Sequence, residues 1–351
     1  MDIKQAIRHL CAERDLSAEE MASLMRELMT GQCTDAQIAA FLVALQMKGI
    51  KTPELLGAAR TMRSLATPVL LPPDAHLVDT CGTGGTSTDT FNISTSAAMV
   101  AACAGARVAK HGNRGATSKS GSADLLEAAG VRLNMTPAQV AQCVEQVGVG
   151  FMFAPGHHSA MKHVIGPRKE IGVRTIFNML GPLTNPAGAP NQVLGVFDAA
   201  WIDPILQVLK SMGSHHVLVL SSDDGLDEIS ISAPTRIGEL RDGRLVAYTV
   251  QPADFGMVQR DGFDMLKVNS PQESLAMVRQ ALTYENEAAG DIVALNAGAA
   301  IYAANLCDDL PSGVKKAQTI LRSGLALKKL EQLAAFTQAL LTEPPSAEPK
   351  N

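Results

Sequence analysis

The stretch Thr80-Cys81-Gly82-Thr83-Gly84-Gly85-Thr86-Ser87-Thr88-Asp89-Thr90-Phe91-Asn92-Ile93-Ser94-Thr95 follows the apolar pair Leu77-Val78. From Ser94 a helical pattern runs through Ala97, Val100 and Ala101 to Gly105. A strand, a glycine-rich turn and a helix in that order are the building unit of an α/β fold with a largely parallel sheet. Gly82, Gly84 and Gly85 let a ligand approach the backbone, while Thr86, Ser87, Thr88 and Thr90 offer uncharged donors. The helix that opens here turns its first N–H groups toward the same place, so the stretch reads as an anion cradle. It is neither the dinucleotide fingerprint nor the P-loop, which would place Lys-Ser/Thr after the last glycine. Gly and Thr also build ordinary strand-to-helix turns, and this segment alone leaves that alternative open.

Outward from the cradle, Lys110 to Ser122 follows a short strand candidate, Arg107 to Ala109. It sets Lys110, Arg114 and Lys119 among Asn113, Thr117, Ser118, Ser120 and Ser122, with glycines at 112, 115 and 121. Cations interleaved with small donors suit a polyanion better than a solvated turn. The loop again leads into a helix, starting near Ser122 and ending at Gly130. A third feature is acidic: Asp223-Asp224-Gly225-Leu226-Asp227-Glu228 follows the apolar strand candidate Val217 to Leu220. Clustered carboxylates repel unless a cation neutralises them, and hard oxygen ligands suit Mg²⁺ shared with substrate phosphates; a solvated turn is the alternative. Together the three segments imply a diphosphorylated substrate.

The rest of the chain organises around these loops. Ser17 with Glu20 and Thr34 with Gln37 are capping boxes that open helices with Met21, Leu24, Met25 and Leu28, then Ile38, Phe41, Leu42 and Leu45, facing inward. A further helix spans about Pro53 to Leu65, and Pro68, Pro72 and Pro73 mark a linker. We therefore expect a small helical domain over 1–72, completed by helices near 165–190, and an α/β domain over 73–342. Further strand candidates are Val149 to Phe153, Gln192 to Val196 and Ile292 to Leu295, with a hairpin around Asp242-Gly243 and a disordered tail at 343–351. With 46% hydrophobic residues in 351, the chain can bury a large core, and a net charge of -5 disfavours nucleic acid as the main partner. Six scattered cysteines without metal-ligand spacing, no signal-peptide pattern after Met1 and no membrane-length apolar run point to a reduced, cytoplasmic protein.

Taken in order, Gly-Thr-Gly-Gly with Thr90 to Thr95, Lys110-His111-Gly112-Asn113-Arg114, Ser120 to Asp124, the region Arg168 to Pro186 with Phe177-Asn178-Met179-Leu180-Gly181-Pro182-Leu183, and Asp224 to Glu228 closely resemble the anthranilate phosphoribosyltransferases. The resemblance runs from about residue 17 to about 340. It implies a homodimeric, Mg²⁺-dependent enzyme of tryptophan biosynthesis that moves phosphoribose from phosphoribosyl diphosphate to the amine of anthranilate. The phosphoribosyl diphosphate site it implies comprises Gly82, Gly85, Thr86, Thr90, Asn92, Ile93, Ser94, Thr95, Lys110, His111, Gly112, Asn113, Arg114, Gly115, Ala116, Thr117, Ser118 and Ser122. Gly82, Asn113, His158 and Arg168 fall where the family binds anthranilate, with His111 and Arg174 nearby, and a guanidinium suits a carboxylate on a flat ring. Ser94 resembles one Mg²⁺ contact, and Asp227 with Glu228 the paired carboxylates of another.

The chain departs from the family where Thr86-Ser87 replaces the usual Asp-Gly, removing a carboxylate near the ribose; Asp89 is a candidate replacement. No residue is assigned as acid or base, because an aryl amine is neutral at pH 7 and the difficult step is departure of diphosphate. Three other readings share these residues: a phosphoribosyltransferase with another aromatic acceptor, a pyrimidine nucleoside phosphorylase-like enzyme, and a non-catalytic nucleic-acid-binding relative.

Overall fold

The computed structural model describes residues 1–84, 88–115 and 118–340. Gly85, Thr86, Ser87, Ala116, Thr117 and the expected tail lie outside the described residues. Four helices open the chain: α1 (Ile3–Cys11), α2 (Ala18–Met29), α3 (Asp35–Lys48) and α4 (Thr52–Leu65). Both expected capping boxes form, Ser17 accepting from the Glu20 N–H and Thr34 from the Gln37 N–H. A third, Asp2 with Gln5, opens α1.

The α/β part begins with β1 (Leu77–Gly82), α5 (Ile93–Cys103), β2 (Arg107–Gly112), α6 (Ser122–Ala128), α7 (Pro137–Gln146) and β3 (Val149–Phe153). Three short helices follow, α8 (Ala154–His157), α9 (Ile165–Ile171) and α10 (Phe177–Leu183), then β4 (Asn191–Gly195), α11 (Ile202–Ser211) and β5 (His216–Ser222). The hairpin β6 (Thr235–Arg241) and β7 (Arg244–Val250) precedes α12 (Pro271–Leu282), α13 (Glu287–Ala303), α14 (Leu310–Arg322) and α15 (Leu325–Ala339). The sheet order is β3-β2-β1-β4-β5-β6-β7; the first five strands are parallel and the hairpin antiparallel.

One expectation is corrected. Ile292 to Leu295 is not a strand but the middle of α13, whose residues are all buried after Glu287. A helix enclosed on every side carries no polar stripe, so its four-residue apolar run reads like an interior strand.

Alternation along β5 shows how the layers meet. Leu218 and Leu220 join the core that contains α5 and α13, while Val217 and Val219 join the core that contains the helical bundle and α11. Val164, Ile176, Phe177, Leu180 and Leu183 share that second core with Met21, Leu24 and Phe41. The linker is held where it passes this region, the Thr67 N–H donating to the His157 carbonyl at 2.8 Å and the Val69 N–H to the Pro186 carbonyl at 3.1 Å.

In this order β1 is central: successive strands first run outward through β2 to β3, then the chain crosses back to β4 on the other side. Such a reversal leaves a crevice at the carboxyl ends of β1 and β4, the usual ligand position in open α/β sheets.

Candidate active site

Gly82 and Gly195 are register partners at the carboxyl ends of β1 and β4, and both face Asp227. A Cβ on Gly195 would overlap the Asp227 carbonyl oxygen and lie 2.6 Å from its carbonyl carbon; one on Gly82 would lie 3.2 Å from Asp227 Cγ. The acidic turn is therefore seated in the crevice itself, and two glycines make the room. The Gly84 N–H donates to Asp227 Oδ2 at 3.1 Å, and the Thr83 N–H to the Gly195 carbonyl at 2.9 Å, tying the start of the cradle to the turn.

The structure divides the acidic run by role. Asp223 pairs with Arg236 at 3.1 Å, and Asp224 accepts from the hydroxyls of Ser230 and Ser232, so both brace the turn. Asp227 and Glu228 point into the crevice region; burial raises both carboxyls, and the Asp227 charge adds to the effect on Glu228, which rises to about 8. The Lys110 ammonium and the Ser94 N–H oppose that shift. Lys110 is itself buried, its ammonium donating to the Thr80 carbonyl and lying 3.3 Å from Ser94 Oγ. Burial lowers its pKa, with Asp79, Cys81 and Glu228 acting in the opposite sense.

Among the described residues no three His, Cys, Asp or Glu side chains converge on one metal position. Two adjacent carboxylates, both raised by burial and Glu228 also by the Asp227 charge, nevertheless fit Mg²⁺, which takes one or two carboxylates and completes its shell with water and substrate oxygens. Ser94 and Glu228 line the same small cavity, together with Thr80, Cys81, Gly195 and Asn296.

The cationic loop is closed from within. Asp124 Oδ2 accepts from the Gly115 and Gly121 N–H groups, both at 2.9 Å, and its Oδ1 lies 2.9 Å from Arg114 Nη1. Arg114 also forks onto Glu127 at 2.8 and 3.0 Å, so much of its charge is already matched. Asn113 is exposed and its side chain accepts from the Arg114 N–H. Asn92 joins three segments: Nδ2 donates to the Ser120 carbonyl, and Oδ1 accepts from the Ser120 and Ser274 hydroxyls at 2.8 and 2.7 Å. Thr95 Oγ1 donates to Ser122 Oγ at 3.1 Å, Ile93 packs into the core, and Gly112 lies against Phe151 and Ser122. Thr90 pairs with Lys267, Asp89 Oδ1 accepts the Lys119 N–H at 3.3 Å, and Ser118 Oγ reaches the Ser120 carbonyl at 3.5 Å.

On the helical side, the His111 and His158 rings meet at a tilt of 53° with centroids 5.1 Å apart. His111 Nδ1 lies 3.2 Å from the Gly181 carbonyl, and each ring leaves a buried Nε2 without a hydrogen-bond partner among the described residues. Burial, with mutual repulsion among neighbouring histidines, lowers His111 to about 3 and His158 to about 4, so both are neutral at pH 7. Arg168 lies 4.8 Å over the Phe177 ring and makes no ion pair with a described residue, and burial lowers its pKa. Arg174 lies 4.2 Å over Phe197.

Sequence reasoning missed four positioning groups. Buried Asp79 accepts the His111 N–H at 3.1 Å and Asn185 Nδ2 at 2.8 Å; Asp124 closes its loop; Gly195 makes room for the turn. Asn296 is the fourth, hidden because the apolar run beside it reads as a strand.

Comparison with known proteins agrees with this fold. Residues 74–327 match a family model described as "Glycosyl transferase family, a/b domain", and residues 4–66 one described as "Glycosyl transferase family, helical bundle domain". A protein of Thioalkalivibrio sulfidiphilus named anthranilate phosphoribosyltransferase is 56% identical over 337 residues, 96% of this chain and 99% of its own length. The chain belongs to the anthranilate phosphoribosyltransferase family. The crystal structure of the Thermus thermophilus enzyme of that name superposes with a TM-score of 0.89 at 42% identity, covering 95% of this chain and 99% of that one. The family member from Saccharomyces cerevisiae, solved in complex with PRPP and Mg, gives 0.86 at 25% identity, with 96% and 98% covered.

Proposed function

We propose that this chain is an anthranilate phosphoribosyltransferase of tryptophan biosynthesis. It transfers phosphoribose from 5-phosphoribosyl 1-diphosphate to the amino group of anthranilate, releasing diphosphate. The observation that carries the reading is the seating of Asp227 against Gly82 and Gly195 at the switch point, with Glu228 lining the cavity beside it, in a chain of this family. When bound there, Mg²⁺ would offset the charge of the departing diphosphate.

The chain's own residues supply the rest. The Gly84 N–H and the Ser94 N–H at the start of α5 hold Asp227 and Glu228 in place beside the cradle, and the buried Lys110 lies against Ser94 on the same side. The fork of Arg168, without an ion-pair partner among the described residues and with the Phe177 ring at its back, suits the carboxylate of anthranilate. Burial lowers His111 to about 3 and His158 to about 4, which makes both weak bases and fits an amine that attacks without one. The bundle and the α/β part share a continuous core beside the site, a layout that supports exclusion of water from the developing sugar cation. The family resemblance further supports a homodimer in the cytoplasm.

The test mixes purified protein with phosphoribosyl diphosphate, Mg²⁺ and anthranilate and follows loss of anthranilate fluorescence. Turnover of another aromatic amine but not anthranilate would overturn the acceptor. Turnover of thymidine or uridine with phosphate instead would overturn the reaction class.

A further inference from the structure

Asn296 is an amide in the centre of α13, 2% exposed, on a helix otherwise built there of Ile, Val, Ala, Leu and Gly. Its Oδ1 accepts the Ile229 N–H at 2.8 Å, and its Nδ2 donates to the Ile229 carbonyl at 3.0 Å and to the Ile292 carbonyl at 2.8 Å. The amide thus presents to Ile229 the donor and acceptor that a neighbouring strand would offer. Ile229 is the residue next to Glu228, and Asn296 lines the same small cavity as Glu228 and Ser94. On the opposite side the turn is limited by the close approach of Asp227 to Gly195, and the Ser94 N–H faces Glu228.

A buried amide in an apolar helix is costly unless all its groups are paired, and here two of the three bonds go to the backbone next to the two carboxylates. We propose that Asn296 is a positioning residue that fixes the orientation of Asp227 and Glu228 for a divalent cation, an assignment that rests on the metal-holding reading of those two carboxylates. It acts through the Ile229 backbone and touches no substrate. Groups that orient metal ligands typically change metal affinity by about 10- to 100-fold when removed.

The experiment titrates Mn²⁺ into the full-length protein, with and without phosphoribosyl diphosphate, and reads free Mn²⁺ by electron paramagnetic resonance. Wild type, Asn296→Leu and the double variant Asp227→Asn with Glu228→Gln are compared, with thermal unfolding recorded for each. Leu keeps the helix and the branched shape of the side chain while removing the amide bonds. For folded Asn296→Leu we expect Mn²⁺ affinity to fall at least about tenfold. The Mg²⁺ concentration needed for half-maximal activity should rise in step, while anthranilate affinity stays within about twofold of wild type. A merely structural asparagine would lower the folded fraction and leave affinity per folded molecule unchanged, and that result overturns the proposal. If the double carboxylate variant binds Mn²⁺ as wild type does, the metal reading fails instead. Should Asn296→Leu not fold, Asn296→Ser carries the same expectation and the same refuting outcome.

Discussion

Replacing Gly195 by Ala tests the site at its tightest point. The new Cβ would stand 2.6 Å from the Asp227 carbonyl carbon and 2.9 Å from Asp227 Cβ, and would overlap the Asp227 carbonyl oxygen. Carbon atoms rest at about 3.5 to 4.0 Å, so the acidic turn has to retreat by at least about 1 Å, and further to clear the overlapped oxygen. The alternative is movement of β4, which is hydrogen-bonded on both sides by β1 and β5. The turn therefore yields, and both carboxylates move with it. A displacement of about 1 Å at reacting groups can lower the rate about 100-fold, so kcat/KM for phosphoribosyl diphosphate should fall by about that factor. The assay is steady-state loss of anthranilate fluorescence across a Mg²⁺ titration. Gly166→Ala serves as control, since a Cβ there meets nothing within 4 Å. A Gly195→Ala enzyme within about threefold of wild type, folded and with unchanged Mg²⁺ dependence, would refute the argument that the turn's seat sets the chemistry.

Arg168→Ala should weaken anthranilate binding by roughly 2 to 5 kcal/mol and barely change the KM for phosphoribosyl diphosphate, which substrate-saturation kinetics will separate. Asp124→Asn keeps size but weakens the acceptor shared by the Gly115 and Gly121 N–H groups and leaves Arg114 with Glu127 alone. Its expected outcome is faster amide exchange at residues 113–115 and 118–122 and a higher KM for phosphoribosyl diphosphate, measured by exchange mass spectrometry and kinetics. His111 and His158, lowered to about 3 and about 4, stay neutral in the folded state while unfolded histidines take up protons below pH about 6.5. Their contribution to stability is therefore lost as pH falls from about 6.5 toward 4, and replacing both by Gln should flatten the fall in Tm over that window.

What could be read in advance had a local signal. The cradle, the cationic loop and the acidic run are each contiguous, and capping boxes and the Asp242-Gly243 hairpin declare themselves within a few residues. What could not be read depends on partners far apart in the chain. Asp79 meets Asn185 across 106 positions, Asn92 meets Ser274 across 182, and Ile229 meets Asn296 across 67. No periodicity encodes such pairs. Enclosure also erases information: α13 lost its helical signature because it is buried on every face and keeps no polar stripe. The acidic run shows a third limit, since composition groups four carboxylates that the fold assigns to bracing at Asp223 and Asp224 and to the crevice at Asp227 and Glu228.

The sharing of one core by α2, α3 and the segment around α10 has a consequence for how the protein is made. A ribosome emits α1 to α4 first, but the faces of Met21, Leu24 and Phe41 share their core with Ile176, Phe177 and Leu180, which emerge more than a hundred residues later. At about 5 to 20 residues per second that interval is roughly 6 to 24 s, during which an apolar surface waits uncovered on the nascent chain. The bundle that stands first in the sequence is thus completed late in synthesis, and a chain stalled between α4 and α10 would expose the sides of α3 and α4 that pack against α9 and α10 to chaperones or to other nascent copies.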